Sequence, residues 1–179
     1  MASIKRRELK AFLDRLTKEE LIEQIAILCS AVPEAAAFYR TKFRPEDDSA
    51  VAAEYKKKIR REFARWYSAS FRLSNARKPV LDFEKIAGSP TTAVDVMLTY
   101  VEEGIEAVRD IGGLDEAYAS SMATMYRRAV VQIAKHGLQG EYGERCQVVL
   151  SRGEELGWGL GDALIDIHTE LLGHDPPDA

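Results

Sequence analysis

Only two cysteines and three histidines occur in 179 residues, and their scatter excludes most chemistry that needs them together. Cys29 and Cys146 sit on apolar helical faces with no second cysteine or histidine nearby. Both read as buried reduced thiols, not as a disulfide or a metal site. The residues three before His136, His168 and His174 are Ile133, Ile165 and Leu171, so the Glu-x-x-His spacing of a di-iron bundle is missing. No Ser-His-Asp or Cys-His arrangement is supported locally. Long apolar runs are missing too. The longest, Ile25 to Cys29, is far short of the roughly 20 residues that cross a membrane. The start, MASIKRRELKAFL, has no apolar stretch suited to a signal peptide. A cytoplasmic protein with no membrane attachment is therefore expected.

What is present is helical periodicity, with no convincing strand. Leu9, Phe12, Leu13 and Leu16 mark a first helix over Glu8 to Leu16. Thr17 and Glu20 spell a capping box for a second, with Leu21, Ile25, Leu28 and Val32 expected as its buried stripe. Pro33 suits the first position of a third, ending near Phe43. The next is expected from Ser49 to about Leu73, stepping through Ala52, Tyr55, Ile59, Phe63, Trp66 and Leu73. Arg77-Lys78-Pro79 breaks the pattern, because proline disfavours helix in the residue before it. Residues 79–89 then read as a connector with one short turn at Asp82 to Ile86. Ser89-Pro90 opens a helix to Ile111, Gly112-Gly113 ends it, and Leu114 to His136 follows with Gly137 as its left-handed cap. Glu141 to Arg152, stopped by Gly153, and Leu160 to Leu172 complete the chain. The expectation is an all-α protein of seven or eight helices in an antiparallel bundle or irregular helical array. It forms one domain over 1–172, with a sub-boundary at 79–89 and a flexible tail at 173–179.

Charge is divided between the halves. Residues 1–78 hold 18 Lys/Arg and 11 Asp/Glu, a balance of +7, whereas residues 79–179 hold 7 and 18, a balance of −11. Lys57, Arg61, Arg65 and Arg72 step by four, four and seven along the expected 49–73 helix, so they share a face. Lys56, Lys58 and Arg60 widen it, and Tyr67 and Phe71 flank it with surface on which bases stack. Such a stripe tracks a phosphate backbone, faces an acidic protein surface, or is simply solvated. Asp95, Glu102, Glu106 and Asp110 repeat the pattern with opposite sign on the 90–111 helix, with Glu103 beside them. Carboxylates four apart can act as an acid–base pair or hold a metal, and can equally face water.

Gly157-Trp158-Gly159-Leu160-Gly161-Asp162 suggests a phosphate loop, yet it follows a helix where such loops follow a strand, and it lacks the Lys-Ser/Thr pair. A helix stop and restart accounts for it better.

The order of segments resembles the domain of unknown function 6155 family. The resemblance is carried by Tyr55-Lys56-Lys57-Lys58-Ile59, Leu73-Ser74 with Ala76, Tyr100-Val101-Glu102 with Gly104, and Gly157-Trp158-Gly159 followed by Asp162, Asp166 and Ile167. It implies a bacterial, mostly helical, single-unit protein and supplies no activity.

The reading that follows is a non-enzymatic helical interaction protein. Its surfaces are a basic face (Lys57, Arg61, Arg65, Tyr67, Arg72) and an acidic face (Asp95, Glu102, Glu106, Asp110), and its partner is another protein or a second copy. Nucleic-acid binding through the 49–73 helix is the alternative. An enzyme or metal protein using Glu102, Glu106, Asp162, Asp166 or His168 ranks third. No catalytic residue, metal or cofactor is assigned.

Overall fold

Local sequence signals are followed closely at the start of the chain. Glu20 N–H donates to Thr17 Oγ1 at 3.2 Å and Thr17 N–H donates to the Glu20 carboxylate at 2.8 Å, which closes the capping box. The computed structural model describes residues 4–109, 115–156 and 159–173. Among them are nine α-helices and no strand: α1 (Arg6–Leu13), α2 (Lys18–Ala31), α3 (Pro33–Phe43), α4 (Asp48–Phe63), α5 (Leu73–Glu84), α6 (Pro90–Arg109), α7 (Glu116–His136), α8 (Gln139–Leu156) and α9 (Leu160–Leu172). A 3-10 turn, Pro45–Asp47, joins α3 to α4.

The all-helical expectation holds, but the helix count and the middle of the chain differ. The helix expected over 49–73 ends at Phe63. Residues 64–72 form successive tight turns, with Trp66 N–H donating to the Phe63 carbonyl and Ser68 N–H to that of Arg65. Ser68 Oγ takes the Ser70 amide at 3.2 Å, the local competition that makes serine a poor helix interior. The turns also let Phe71 fold back against Phe63, centroids 6.0 Å apart, and bring Trp66 within 6.5 Å of Tyr118.

The expected connector at 79–89 is largely a helix. Pro79 lies inside α5, where it cannot donate to the Asn75 carbonyl, at a cost of about 3 kcal/mol. Burial of Ala76, Val80 and Phe83, all at 0% exposure, offsets this, since a fully buried large side chain contributes roughly 1.5–3 kcal/mol. Two smaller differences follow. The first helix spans Arg6–Leu13, and α8 continues through Gly153 to Leu156. Gly153 is a packing residue and not a stop: a Cβ there would lie 2.6 Å from Leu164 Cδ1.

The core is continuous from α4 to α9. α6 runs through it, against α4, α5, α7 and α8, while α9 covers α7 and α8. Tyr118 ties α7 to α6 by donating to the Gly104 carbonyl at 2.8 Å. Buried Asp48, at the head of α4, accepts from Gly88 N–H at 2.9 Å, Ser89 Oγ at 3.1 Å and Thr92 Oγ1. Ser89 Oγ in turn takes the Thr92 amide, so one carboxylate fixes the starts of α4 and α6 together.

Candidate interaction surfaces

The two charged faces have different fates. On α6, Asp95 and Glu102 turn into the seam with α8, where Arg145 reaches both. Its Nε and Nη2 donate to the two Glu102 oxygens at 2.6 and 2.8 Å, and its Nη1 donates to Asp95 Oδ1 at 2.6 Å. Arg145 Nη2 also donates to Thr99 Oγ1 at 3.0 Å. Lys56 Nζ, from α4, takes the other Asp95 oxygen at 2.6 Å. Next along, Arg60 pairs with Glu103 at 2.8 Å, and Glu106 pairs with Arg109 at 2.7 Å. Asp110 lies outside the described residues.

Burial works against charge on Asp95, but hydrogen bonds from Lys56 and Arg145 outweigh it and hold its carboxyl below the usual range. Burial likewise works against the Arg145 cation, and hydrogen bonding and attraction from Glu102, then Asp95, reverse that and hold its proton more tightly. Desolvation, with Glu141 nearby, raises Tyr142 beside this cluster to about 12. It is a neutral phenol donating to the Thr91 carbonyl at 2.8 Å. The acidic stripe is therefore largely neutralised within the chain, as is the Lys56/Arg60 flank of the basic one.

The rest of the basic set is exposed and split between elements. Lys57 and Arg61 stand on α4 and, among the described residues, have no hydrogen-bond or ion-pair partner. Arg65 and Tyr67 belong to the following turns, and Arg72 is the residue before α5. Arg65 donates to Ser70 Oγ, and Arg72 donates to the Ala69 and Phe71 carbonyls at 3.0 and 2.8 Å. The four cations do not form one helical stripe, because the helix that would align them stops. Arg61 also borders a groove of about 330 Å³ with Lys58 and Lys78, where Glu34, Glu62 and Asp82 contribute the opposite sign.

Arg145 was not among the residues that charge patterning singled out. Its signal was a cation beside the apolar positions Tyr142, Cys146 and Val149, a place where an unpaired charge is costly.

The other candidates do not converge. Asp162 and Asp166 are exposed on α9, and His168 is buried, its Nδ1 2.9 Å from Tyr126 Oη. Among the described residues no group of three or more His, Cys, Asp or Glu is placed to hold a metal ion. Gly157 and Trp158 lie outside the described residues. Gly159 precedes α9 with φ +70, and a Cβ on Gly161 would meet Glu154 Cα at 2.7 Å, so these glycines serve the α8–α9 turn and close backbone approach.

An exposed apolar set lies elsewhere among the described residues. From Ile4 to Arg40 no residue is buried. α2 packs on α3, and α1 has no extensive packing partner. Leu9, Phe12, Ile22, Ile27 and Leu28 are 44–57% exposed. Single exposed apolar residues are ordinary, but larger exposed apolar patches mark interaction sites. The segment is joined to the body through α3, where Arg40 pairs with Glu54 at 3.1 Å and Thr41 Oγ1 donates to the Ile86 carbonyl at 2.8 Å.

A family model described as a family of unknown function, DUF6155, matches residues 4–161. The chain belongs to that family. No curated protein and no solved structure matches it. The DUF6155 match takes in α1 to α8 and the first residues of α9, so the apolar arm and the helical body both fall within it.

Proposed function

We propose that this DUF6155 chain is a non-enzymatic helical interaction protein, working in a bacterial cytoplasm, whose body (α4–α9) presents an apolar N-terminal arm (α1–α2) to another protein chain. The observation that carries the reading is the contrast between composition and burial in α2. Residues 24–33 carry no charge, yet Ile27 and Leu28 are half open to solvent. The two free thiols, Cys29 and Cys146, suit a reducing compartment.

The test is photo-crosslinking in cells from a photoreactive residue replacing Ile27, with the same residue replacing Val148 on α8 as comparison. Protein adducts from position 27, lost when Ile22 and Leu28 are both changed to Asp, are expected. Absence of protein adducts at position 27 overturns the reading.

A second reading, nucleic-acid binding, is favoured by one observation: Lys57 and Arg61 are exposed cations one turn apart with no carboxylate partner among the described residues. It predicts binding of RNA or DNA that weakens steeply with salt. Binding that survives Arg61→Glu with Arg65→Glu rules it out.

A further inference from the structure

The apolar arm rests on the interaction reading above and narrows it. We propose that its partner is the arm of a second copy, with the two α2 helices antiparallel about a two-fold axis at Leu28.

The first argument is what α2 cannot do alone. Fourteen residues make a helix about 21 Å long, too short for a hydrocarbon core of about 30 Å. Joining α2 to α3 does not supply a span, because they are bent by 118° and α3 is held to the body through Arg40 and Thr41. Lying on a lipid surface requires a strongly polar outer face. That face on α2 is acidic, with Glu20, Glu23, Gln24 and Ser30 around Ile27, whereas helices that lie on lipid carry Lys and Arg there. The opposite side, Leu21, Ile25, Leu28 and Val32, is an apolar stripe of the kind that another helix covers.

The second argument is charge. Glu19, Glu20 and Glu23 occupy the first two turns of α2, and no charge follows until Glu34. Parallel pairing would place six carboxylates side by side. Antiparallel pairing about Leu28 sets each apolar stretch, 25–32, against the other and leaves each set of glutamates beyond the partner's last turn, in water. The preceding α1 segment, with Lys5, Arg6, Arg7 and Lys10 against Glu8, carries the opposite sign. A two-fold contact needs a self-complementary patch of this kind.

The third argument is area. On that stripe and on α1, Leu9, Phe12, Ile22, Ile25, Leu28 and Val32 are each 36–57% exposed. Together they leave on the order of 500 Å² open per copy, which suits an interface at the low end of the size range, under about 1,200 Å² in all.

The experiment is sedimentation of the full chain over a concentration series at low and high salt, with disulfide mapping. At about 50 μM the chain is expected at twice its monomer mass, equally in high salt, because the contact is apolar. Ile25→Asp with Leu28→Asp should halve that mass without moving the thermal unfolding of the body. In a Cys29→Ser background, Leu28→Cys should oxidise to a linked dimer and Glu19→Cys should not. A monomeric parent chain overturns the proposal, as does linkage through Glu19→Cys. Adducts from position 27 solely to a different protein overturn self-pairing while leaving the interaction reading standing. No adduct of any kind overturns both.

Discussion

The arm and the body are built from similar material and treated in opposite ways. α2 reads LIEQIAILCSA after its first turns, about as apolar as α6, PTTAVDVMLTYVEEGIEAVR. Yet α6 buries Val94, Met97, Val101, Ile105 and Val108 almost completely, while α2 buries nothing. What differs is the company each keeps. α6 has four helices around it, and α2 packs extensively on one. Apolar composition supplies the tendency to be covered, and tertiary neighbours decide whether it is satisfied.

The contrast can be broken most forcefully in the body. Phe83→Ala empties a fully buried position on α5 and should cost about 3–5 kcal/mol in urea unfolding. A loss below 1 kcal/mol would return α5 to the connector that Pro79 suggests. Next in size is Arg145→Ala, which leaves Asp95 and Glu102 half-buried beside each other. With the cluster about a quarter exposed, the loss should be about 2 kcal/mol, below that of a fully buried pair.

A pH series sharpens the same point. The Asp95 carboxyl is depressed in the folded state, so its contribution is complete above its unfolded value of about 3.9 and disappears as pH falls through the lower folded value. Stability should therefore decline below about pH 4, and Asp95→Asn should decline less steeply over that range. An unchanged acid limb in the variant removes Asp95 from the account. The smallest effect belongs to the arm. In dilute solution, Ile22→Ala should change unfolding by less than about 0.5 kcal/mol. A loss comparable to that of Phe83→Ala would mean that α2 is covered by its own body.

The site was less legible than the fold. Steps of four located Lys57 and Arg61, and both are exposed on one helix face as the spacing implies. The same steps carried Arg65 and Arg72 onto that face, which required a helix that stops at Phe63. The acidic stripe was found as residues, but its partners were not. Lys56 and Asp95 are 39 residues apart, and Arg145 and Asp95 are 50 apart; no local spacing links them.

Sequence alone determined the features whose cause lies within a few residues: helical class, the Thr17–Glu20 box, and Gly137 at φ 67 after α7. These are local hydrogen bonds and dihedral preferences, and a short window contains both partners. Tertiary structure alone decided that Pro79 sits within a helix, that Arg145 neutralises the α6 carboxylates, and that α2 is left uncovered. Each depends on which distant surfaces meet, because burial and ion pairing are summed over neighbours in space and not along the chain.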